Sequence, residues 1–218
     1  MTLVKKYSVF TDKNGRYGDK ATIVIDNGKK INNHERKALT KKLNSFEIAF
    51  VNDTSNADIN IMHSQGEIDF AGVPMLGAAW YLTELNPDLK KLHSKGGDIS
   101  ISREGDTIWA LANLNTMPAW NFKQLNDTQA VKSIDIKDTK EWPHTMVWAW
   151  LDKSKGTIVA RTFAADWDIP EAQANGSGAI MLAAYLKRDI QIIHGNGSEI
   201  YAKPAPNRHA YIGGRVHE

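Results

Sequence analysis

The sequence predicts an α/β protein built from two similar halves, and two observations carry this prediction. Short alternations of apolar and polar residues, separated by turn residues, recur along the 218-residue chain and are typical of strands. In each half a glycine-containing turn leads into an alanine-rich helix, at residues 71–82 and 175–186, and four of these twelve aligned positions are identical. We therefore expect a first half over residues 1–117 and a second over 118–218.

The first half alternates strand patterns with two helices. The pair Asn32-Asn33 supplies an N-cap for a helix whose apolar residues recur at helical spacing over 38–43. The tight turn at residues 104–106 separates two alternating segments and predicts a hairpin. The predicted strands of this half are 7–10, 21–25, 48–51, 59–62, 68–70, 98–101 and 107–111.

The second half follows the same plan after a region without any motif, around residues 115–145. A helix is predicted over 179–186, directly after the second glycine-rich turn. The predicted strands of this half are 147–151, 158–163, 190–193, 199–202 and 210–212.

The composition excludes several classes of chemistry and partner. The chain has no cysteine, which rules out disulfides, thiolate metal sites, iron–sulfur clusters and cysteine nucleophiles. Its 27 Lys and Arg residues nearly balance 25 Asp and Glu, and a net charge of +2 without a basic stripe argues against nucleic-acid binding. No apolar stretch approaches the roughly 18 residues that span a bilayer, and no signal-peptide pattern is present. We therefore expect a cytoplasmic protein without a membrane partner.

The two glycine-containing turns are candidate anion sites. A helix start has backbone N–H groups without intrahelical acceptors and carries the positive end of the helix dipole, so it holds carboxylates well. We predict that Gly72 and Val73 at the first start, with Gly176 and Ser177 at the second, bind a substrate carboxylate. Asn175 either contributes to this site or caps its helix. Alternatively, the glycines only permit close packing; neither turn is a nucleotide-binding motif.

Several segments resemble the phenazine-biosynthesis-like (PhzF-like) isomerase family, in order and in spacing. Glu67 to Gly77 reads Glu-Ile-Asp-Phe-Ala-Gly-Val-Pro-Met-Leu-Gly, and Glu171 to Ala179 carries the second glycine turn. The remaining similar segments are 7–12, 18–24, 43–51, 161–163 and 213–216. The resemblance implies a diaminopimelate-epimerase-like fold, in which two α/β halves each curl a mixed sheet around a central helix and hold the active site between them.

The resemblance also implies roles for individual residues. The family's acid/base glutamate, in Leu-Asn-x-Ser-Glu-Thr, falls on Glu47, and the family's Gly-Ser pair falls on Gly176 and Ser177. The family's assisting His and Asp fall on Val73 and Ala172. Further departures are Phe46 for Ser, Met75 for Thr and Gln173 for Pro. These replacements predict a more apolar pocket.

Glu47 has a physical case of its own, because a carboxyl group in an apolar cleft has its pKa raised toward the range used in general acid/base catalysis. The alternative is a strand glutamate that points to solvent, with Phe46 and Ile48 facing inward. His63, which replaces a family Thr, has either a compensating role or a surface position. The other histidines show no metal-binding spacing, so we expect no metal and no cofactor.

Three functional hypotheses follow from these residues. The leading one is a cofactor-independent isomerase of a small carboxylate-bearing metabolite, with Glu47 as catalytic residue. The second is a catalytically degenerate relative that binds a small ligand without converting it, because the His and Asp positions are lost. The third is a homodimeric assembly protein, whose seven tryptophans supply the interface. A homodimer is expected in any case.

Overall fold

Fourteen strands and four α-helices make up residues 3–218, the part of the chain that the computed structural model describes. The strands are β1 Leu3–Thr11, β2 Asp19–Ile25, β3 Glu47–Asp53, β4 Asp58–His63, β5 Gly66–Ile68, β6 Lys91–Ser94, β7 Gly97–Glu104, β8 Thr107–Asn113, β9 Asn121–Gln124, β10 Thr145–Asp152, β11 Thr157–Phe163, β12 Ile190–His194, β13 Ser198–Ala205 and β14 His209–His217. The helices are α1 Asn33–Lys42, α2 Gly72–Leu85, α3 Thr128–Lys132 and α4 Gly176–Leu186. Short 3-10 turns occupy Leu114–Thr116, Ile136–Thr139 and Ala165–Trp167.

The two halves repeat one order of elements. The first half reads β2-α1-β3-β4, then the short β5, then α2-β6-β7-β8, and the second reads β9-α3-β10-β11-α4-β12-β13-β14. The pairings also correspond, because β2–β3 and β4–β6 are parallel, as are β9–β10 and β11–β12, whereas the last three strands of each half are antiparallel. The predicted boundary after residue 117 falls between the two units.

A closed ring of strands surrounds α2. The ring runs β1-β2-β3-β4-β6-β7-β8-β14 and returns to β1. Eleven of the fourteen residues of α2 are buried, and its small residues Gly77, Ala78 and Ala79 let the strands pack closely against it. In the second half α4 packs against β13 and β14. The α/β fold with two similar halves, each with a mixed sheet and a central helix, is confirmed.

Strand β14 belongs to both halves. One of its edges pairs with β8, from His209 to Arg215. Its other edge is divided, because His209 to Gly213 pair with β13 whereas Arg215 to His217 pair with β1. The sheet is therefore continuous across the predicted boundary.

Helix α1 covers the outer face of β2, β3 and β4. It begins where predicted, at an Asn32 cap. The Asn32 side chain accepts a hydrogen bond from the Glu35 backbone N–H, and the Glu35 side chain accepts one from the Asn32 backbone N–H. Arg36 is fully buried and binds Asp26 Oδ2 at 2.6 Å through Nη2. The same guanidinium binds the side chains of Asn52 and Asn60.

The sequence patterns located most elements and missed three. The strand expected at 68–70 is wrong, since β5 ends at Ile68. The short elements β6, β9 and α3 were not predicted, and the last two lie in the region that carries no motif. No helix within residues 3–218 is long and apolar enough to cross a membrane.

Candidate active site

The starts of α2 and α4 approach each other closely. A Cβ atom added to Gly72 would lie 3.6 Å from Cα of Gly176. A Cβ atom added to Gly176 would lie 2.5 Å from Cδ1 of Ile212 on β14. Close packing is therefore one function of both glycines, and it brings the two helix starts to one place.

Both helix starts face one cavity of about 820 Å³, lined by residues of the two halves. In α2 the N-cap residue Ala71 makes no side-chain cap, and Pro74 has no N–H, so Gly72 and Val73 supply the first-turn donors without intrahelical acceptors. In α4 the Asn175 side chain accepts the Gly178 N–H at 2.8 Å. The corresponding donors of α4 are those of Gly176 and Ser177. These four N–H groups and two helix dipoles suit an anion.

Asn175 caps α4, and a buried chain of hydrogen bonds holds it. Its Nδ2 donates to Thr162 Oγ1 at 3.2 Å, and Thr162 Oγ1 lies 2.8 Å from His194 Nε2. His194 Nδ1 lies 3.3 Å from the Gln173 carbonyl oxygen, which can only accept, so Nδ1 carries the proton and Nε2 accepts from the Thr162 hydroxyl. Burial lowers the pKa of His194 to about 4, which keeps the ring neutral. No sequence pattern indicated this support.

Glu47 lines the same cavity because it lies on the inner face of β3. Both faces of this strand are covered. Ala49 and Val51 belong to the core around α2, whereas Ile48 and Phe50 pack toward α1. Alternation along the strand puts Glu47 on the face of Ala49 and Val51, which is the inner face. The alternative with Phe46 facing inward is wrong, since that side chain is 54% exposed.

The Glu47 carboxyl is half-buried and makes no hydrogen bond or ion pair with another side chain within residues 3–218. Burial, and after it the negative charge of Asp19, raises the pKa of Glu47 from 4.5 to about 8. Opposite it on β4 lies His63, whose ring contacts Phe46 edge to face at 4.6 Å. His63 is half-buried rather than a surface residue, and this burial lowers the pKa of its ring.

Trp120 and Trp167 form an aromatic wall at the side of the cavity near α4, and His144 packs against both rings. Trp120 Nε1 donates to Ser177 Oγ at 2.9 Å, and the Ser177 hydroxyl lies 3.3 Å from Asn175 Oδ1. The His144 ring stacks on Trp167 with centroids 4.2 Å apart. His144 binds Asp166 through Nδ1 and the Ala119 carbonyl oxygen through Nε2. The Ser177 hydroxyl is therefore already held by two neighbours.

Three further acidic side chains of the cavity have partners. Asp69 lies 3.6 Å from Lys95 Nζ, and Glu171 forms a two-bond ion pair with Arg161 at 2.7 and 2.8 Å. Glu67 accepts a short hydrogen bond from Asn60. Sequence reasoning missed these residues, together with Asp19, as site residues, because the fold and not a local motif places them at the cavity.

The structure brings all six predicted site residues to this cavity; they are Glu47, Gly72, Val73, Asn175, Gly176 and Ser177. Ala172 and Val73, at the family's Asp and His positions, also line it. Met75 does not, because it is fully buried in the core around α2. The more apolar pocket stays a prediction; the carboxyl groups that line the cavity are those of Asp19, Glu47, Glu67, Asp69 and Glu171. Within residues 3–218 no group of three or more His, Asp or Glu side chains could hold a metal ion.

Comparison with known proteins agrees with this architecture. No protein-family model matches the chain. It is similar to a PhzF-family phenazine biosynthesis protein of Enterococcus faecalis, with 16% identity and a TM-score of 0.80 over 100% of this chain and 96% of that one. A PhzF-family protein of Bacillus anthracis has 16% identity and a TM-score of 0.67 over 99% and 96% of the two chains. A hydroxyproline epimerase of Agrobacterium vitis, with bound trans-4-hydroxy-L-proline, has 11% identity and a TM-score of 0.55 over 99% and 89%.

These likenesses confirm the fold that the sequence motifs implied. The chain has the fold of PhzF-family proteins, a fold that the epimerase shares. The prediction of a PhzF-like, diaminopimelate-epimerase-like architecture is therefore confirmed.

Proposed function

We propose that the protein is a cofactor-independent isomerase that moves a proton on a small carboxylate-bearing metabolite. The observation that carries the proposal is the position of Glu47 in the cavity that two helix starts share, where its carboxyl group has no side-chain partner among residues 3–218. Its pKa of about 8 leaves it able both to take and to return a proton near neutral pH. The epimerase with this fold holds trans-4-hydroxy-L-proline, which is a small carboxylate-bearing molecule.

The four N–H groups of Gly72, Val73, Gly176 and Ser177 hold the substrate carboxylate in this proposal. When Glu47 removes a proton from the carbon beside the carboxylate, the electron pair left on carbon spreads onto the carboxylate oxygens. The helix starts then stabilise more charge in the transition state than in the ground state, which is the requirement for catalysis. Returning the proton to another position or face completes an isomerisation.

Exchange with solvent deuterium tests the proposal. A panel of small carboxylic acids with a proton beside the carboxylate is incubated with the protein in D₂O, and incorporation is followed by mass spectrometry. We expect at least one acid to gain deuterium with the parent protein and none with Glu47→Gln, which keeps the size of the side chain but cannot titrate. Exchange at the parent rate in Glu47→Gln would exclude Glu47 as the base.

A second candidate function is ligand binding without conversion. The observation that favours it is the presence of Val73 and Ala172 on the cavity wall, where the resemblance implied an assisting His and Asp. Calorimetry on the same acids separates the two candidates. An acid that binds to the parent protein without gaining deuterium supports the binder, and one that does both supports the isomerase.

The homodimer stays a prediction. Trp80, Trp109 and Trp148 are buried within the chain, and Trp120 and Trp167 form the aromatic wall. The first three are therefore occupied inside the single chain, whereas Trp167 is 36% exposed and remains available to an interface. Size-exclusion chromatography with light scattering measures the molar mass directly, and a strictly monomeric result would remove both the dimer and the assembly hypothesis.

A further inference from the structure

Among the carboxyl groups on the cavity wall, those of Asp19 and Glu47 stand apart from the others. The three others each have a partner: Glu67 binds Asn60, Asp69 pairs with Lys95 and Glu171 pairs with Arg161. Asp19 accepts a backbone hydrogen bond from Lys20 N at 2.7 Å. Within residues 3–218, neither Asp19 nor Glu47 has an ion pair or a side-chain hydrogen bond.

Strand geometry brings these two carboxyl groups to the same end of the barrel. Strands β2 and β3 are parallel neighbours, in a register that pairs Thr22 with Ile48. Asp19 begins β2 and Glu47 begins β3. Asp19 shares the inner face of β2 with Ala21 and Ile23, both of which pack in the core around α2. Both carboxyl groups therefore lie on the inner faces of neighbouring strands and line the same cavity.

The charged groups around this pair do not neutralise it. The Lys20 ammonium binds Ser8 Oγ at 2.6 Å on β1. His63, which faces Glu47 from β4, has its pKa lowered by burial and is neutral at pH 7. The other charged side chains of the cavity are Glu67, Asp69, Lys95 and Glu171, each already engaged. Two like charges side by side in a half-buried cavity repel each other, so one of the two carboxyl groups keeps its proton.

We propose that Asp19 is the proton-sharing partner of Glu47, so that the two carboxyl groups hold one proton between them in the resting cavity. The inference rests on the proposed role of Glu47 as the base and names the residue that sets its proton affinity. The pKa of both groups is raised, which agrees with the proposal. Burial is the largest cause for each, and the negative charge of Asp19 raises the pKa of Glu47 further. Asp19 is a positioning residue in this scheme, since it acts through Glu47.

The pair neither gains nor loses a proton over one reaction cycle. The resting pair holds one proton, and the form that reacts is the one in which this proton sits on Asp19 and Glu47 is ionised. When Glu47 takes a proton from a substrate carbon, the pair holds two protons and is neutral, and the electron pair of the broken C–H bond stays on the substrate. Return of one proton to carbon restores the resting pair, so no oxidant, reductant or metal takes part.

A direct titration of Glu47 tests the inference without any substrate. Glutamate labelled with ¹³C at the carboxyl carbon gives one resonance per residue, and the Glu47 resonance is the one missing in Glu47→Gln. We expect its midpoint in Asp19→Asn to fall by about one pH unit, a tenfold loss of proton affinity, because the neighbouring negative charge is gone. It should stay above the usual glutamate range, because the burial of Glu47 remains.

Two further variants keep the test decisive. Asp19→Glu retains the charge and should keep a high midpoint even if Asp19→Asn folds poorly. Asp69→Asn removes another cavity carboxylate that is paired with Lys95, and it should leave the Glu47 midpoint in place. An unchanged Glu47 midpoint in folded Asp19→Asn, or an equal fall in Asp69→Asn, would overturn the inference. Deuterium exchange tests the proposed function separately, so the two failures are distinguishable.

Discussion

Replacing Glu47 by Gln is expected to stabilise the protein at alkaline pH and to leave its stability nearly unchanged near pH 5. The pKa of this carboxyl rises from 4.5 to about 8 on folding. Between these values the folded chain holds a proton that the unfolded chain has released, so the free energy of unfolding falls as pH rises. Each pH unit costs about 1.4 kcal/mol, and the whole interval costs on the order of 5 kcal/mol. Gln does not titrate, so the free energy of unfolding of the variant does not fall for this reason as pH rises.

Urea denaturation followed by tryptophan fluorescence, from pH 5 to pH 9, measures the difference. The gap in unfolding free energy between Glu47→Gln and the parent protein should open steadily up to pH 8 and then level off. Glu104→Gln, on the exposed turn between β7 and β8, is the matched control and should follow the parent curve. Parallel curves for Glu47→Gln and the parent protein would refute the assignment of a raised pKa to this residue.

Three further predictions concern the helix starts and the buried ion pair. Ser177→Ala should weaken the binding of a carboxylate ligand by less than about 1 kcal/mol, as measured by calorimetry, because the backbone N–H remains and the hydroxyl is already bound to Trp120 and Asn175; a loss of about 3 kcal/mol would show that the hydroxyl itself binds the ligand. Gly176→Ala should lower the free energy of unfolding by about 1 to 3 kcal/mol, because its Cβ would lie 2.5 Å from Ile212 Cδ1; an unchanged urea midpoint would contradict this packing. Arg36→Met strands the buried Asp26 carboxylate and should cost about 3 to 5 kcal/mol, and the double variant with Asp26→Asn should recover part of that loss; no recovery would argue against the ion pair as the cause.

The sequence predicted the fold where local patterns and global packing agree. The capped start of α1 and the hairpin of β7 and β8 follow from local residues alone. Strand β9 has one partly buried apolar residue, Phe122, and α3 has five residues, so neither produces a periodic signal. In the second half β9 and α3 correspond to β2 and α1 of the first half.

One part of the candidate site could be predicted from local sequence, and another part could not. The helix starts at Gly72 and Gly176 are marked by local sequence, so they could be predicted. The inward orientation of Glu47 could not be derived from pattern, because α1 and α2 cover both faces of β3 and remove the alternation that would reveal it. Asp19 reaches the site through the register of two strands separated by a whole helix, and no spacing in the sequence encodes that register.

The divided edge of β14 has a consequence for the route by which the chain folds. The ring around α2 closes only when Arg215 to His217 reach β1, so the first half cannot complete its barrel from its own residues. Contacts between residues so far apart along the chain carry a high loop-closure entropy and are slow to form. During synthesis on the ribosome, Glu47 and Asp19 therefore remain on an open sheet until β14 has emerged. The half that carries the proposed base, although it is translated first, then closes its barrel only after β14 has been made.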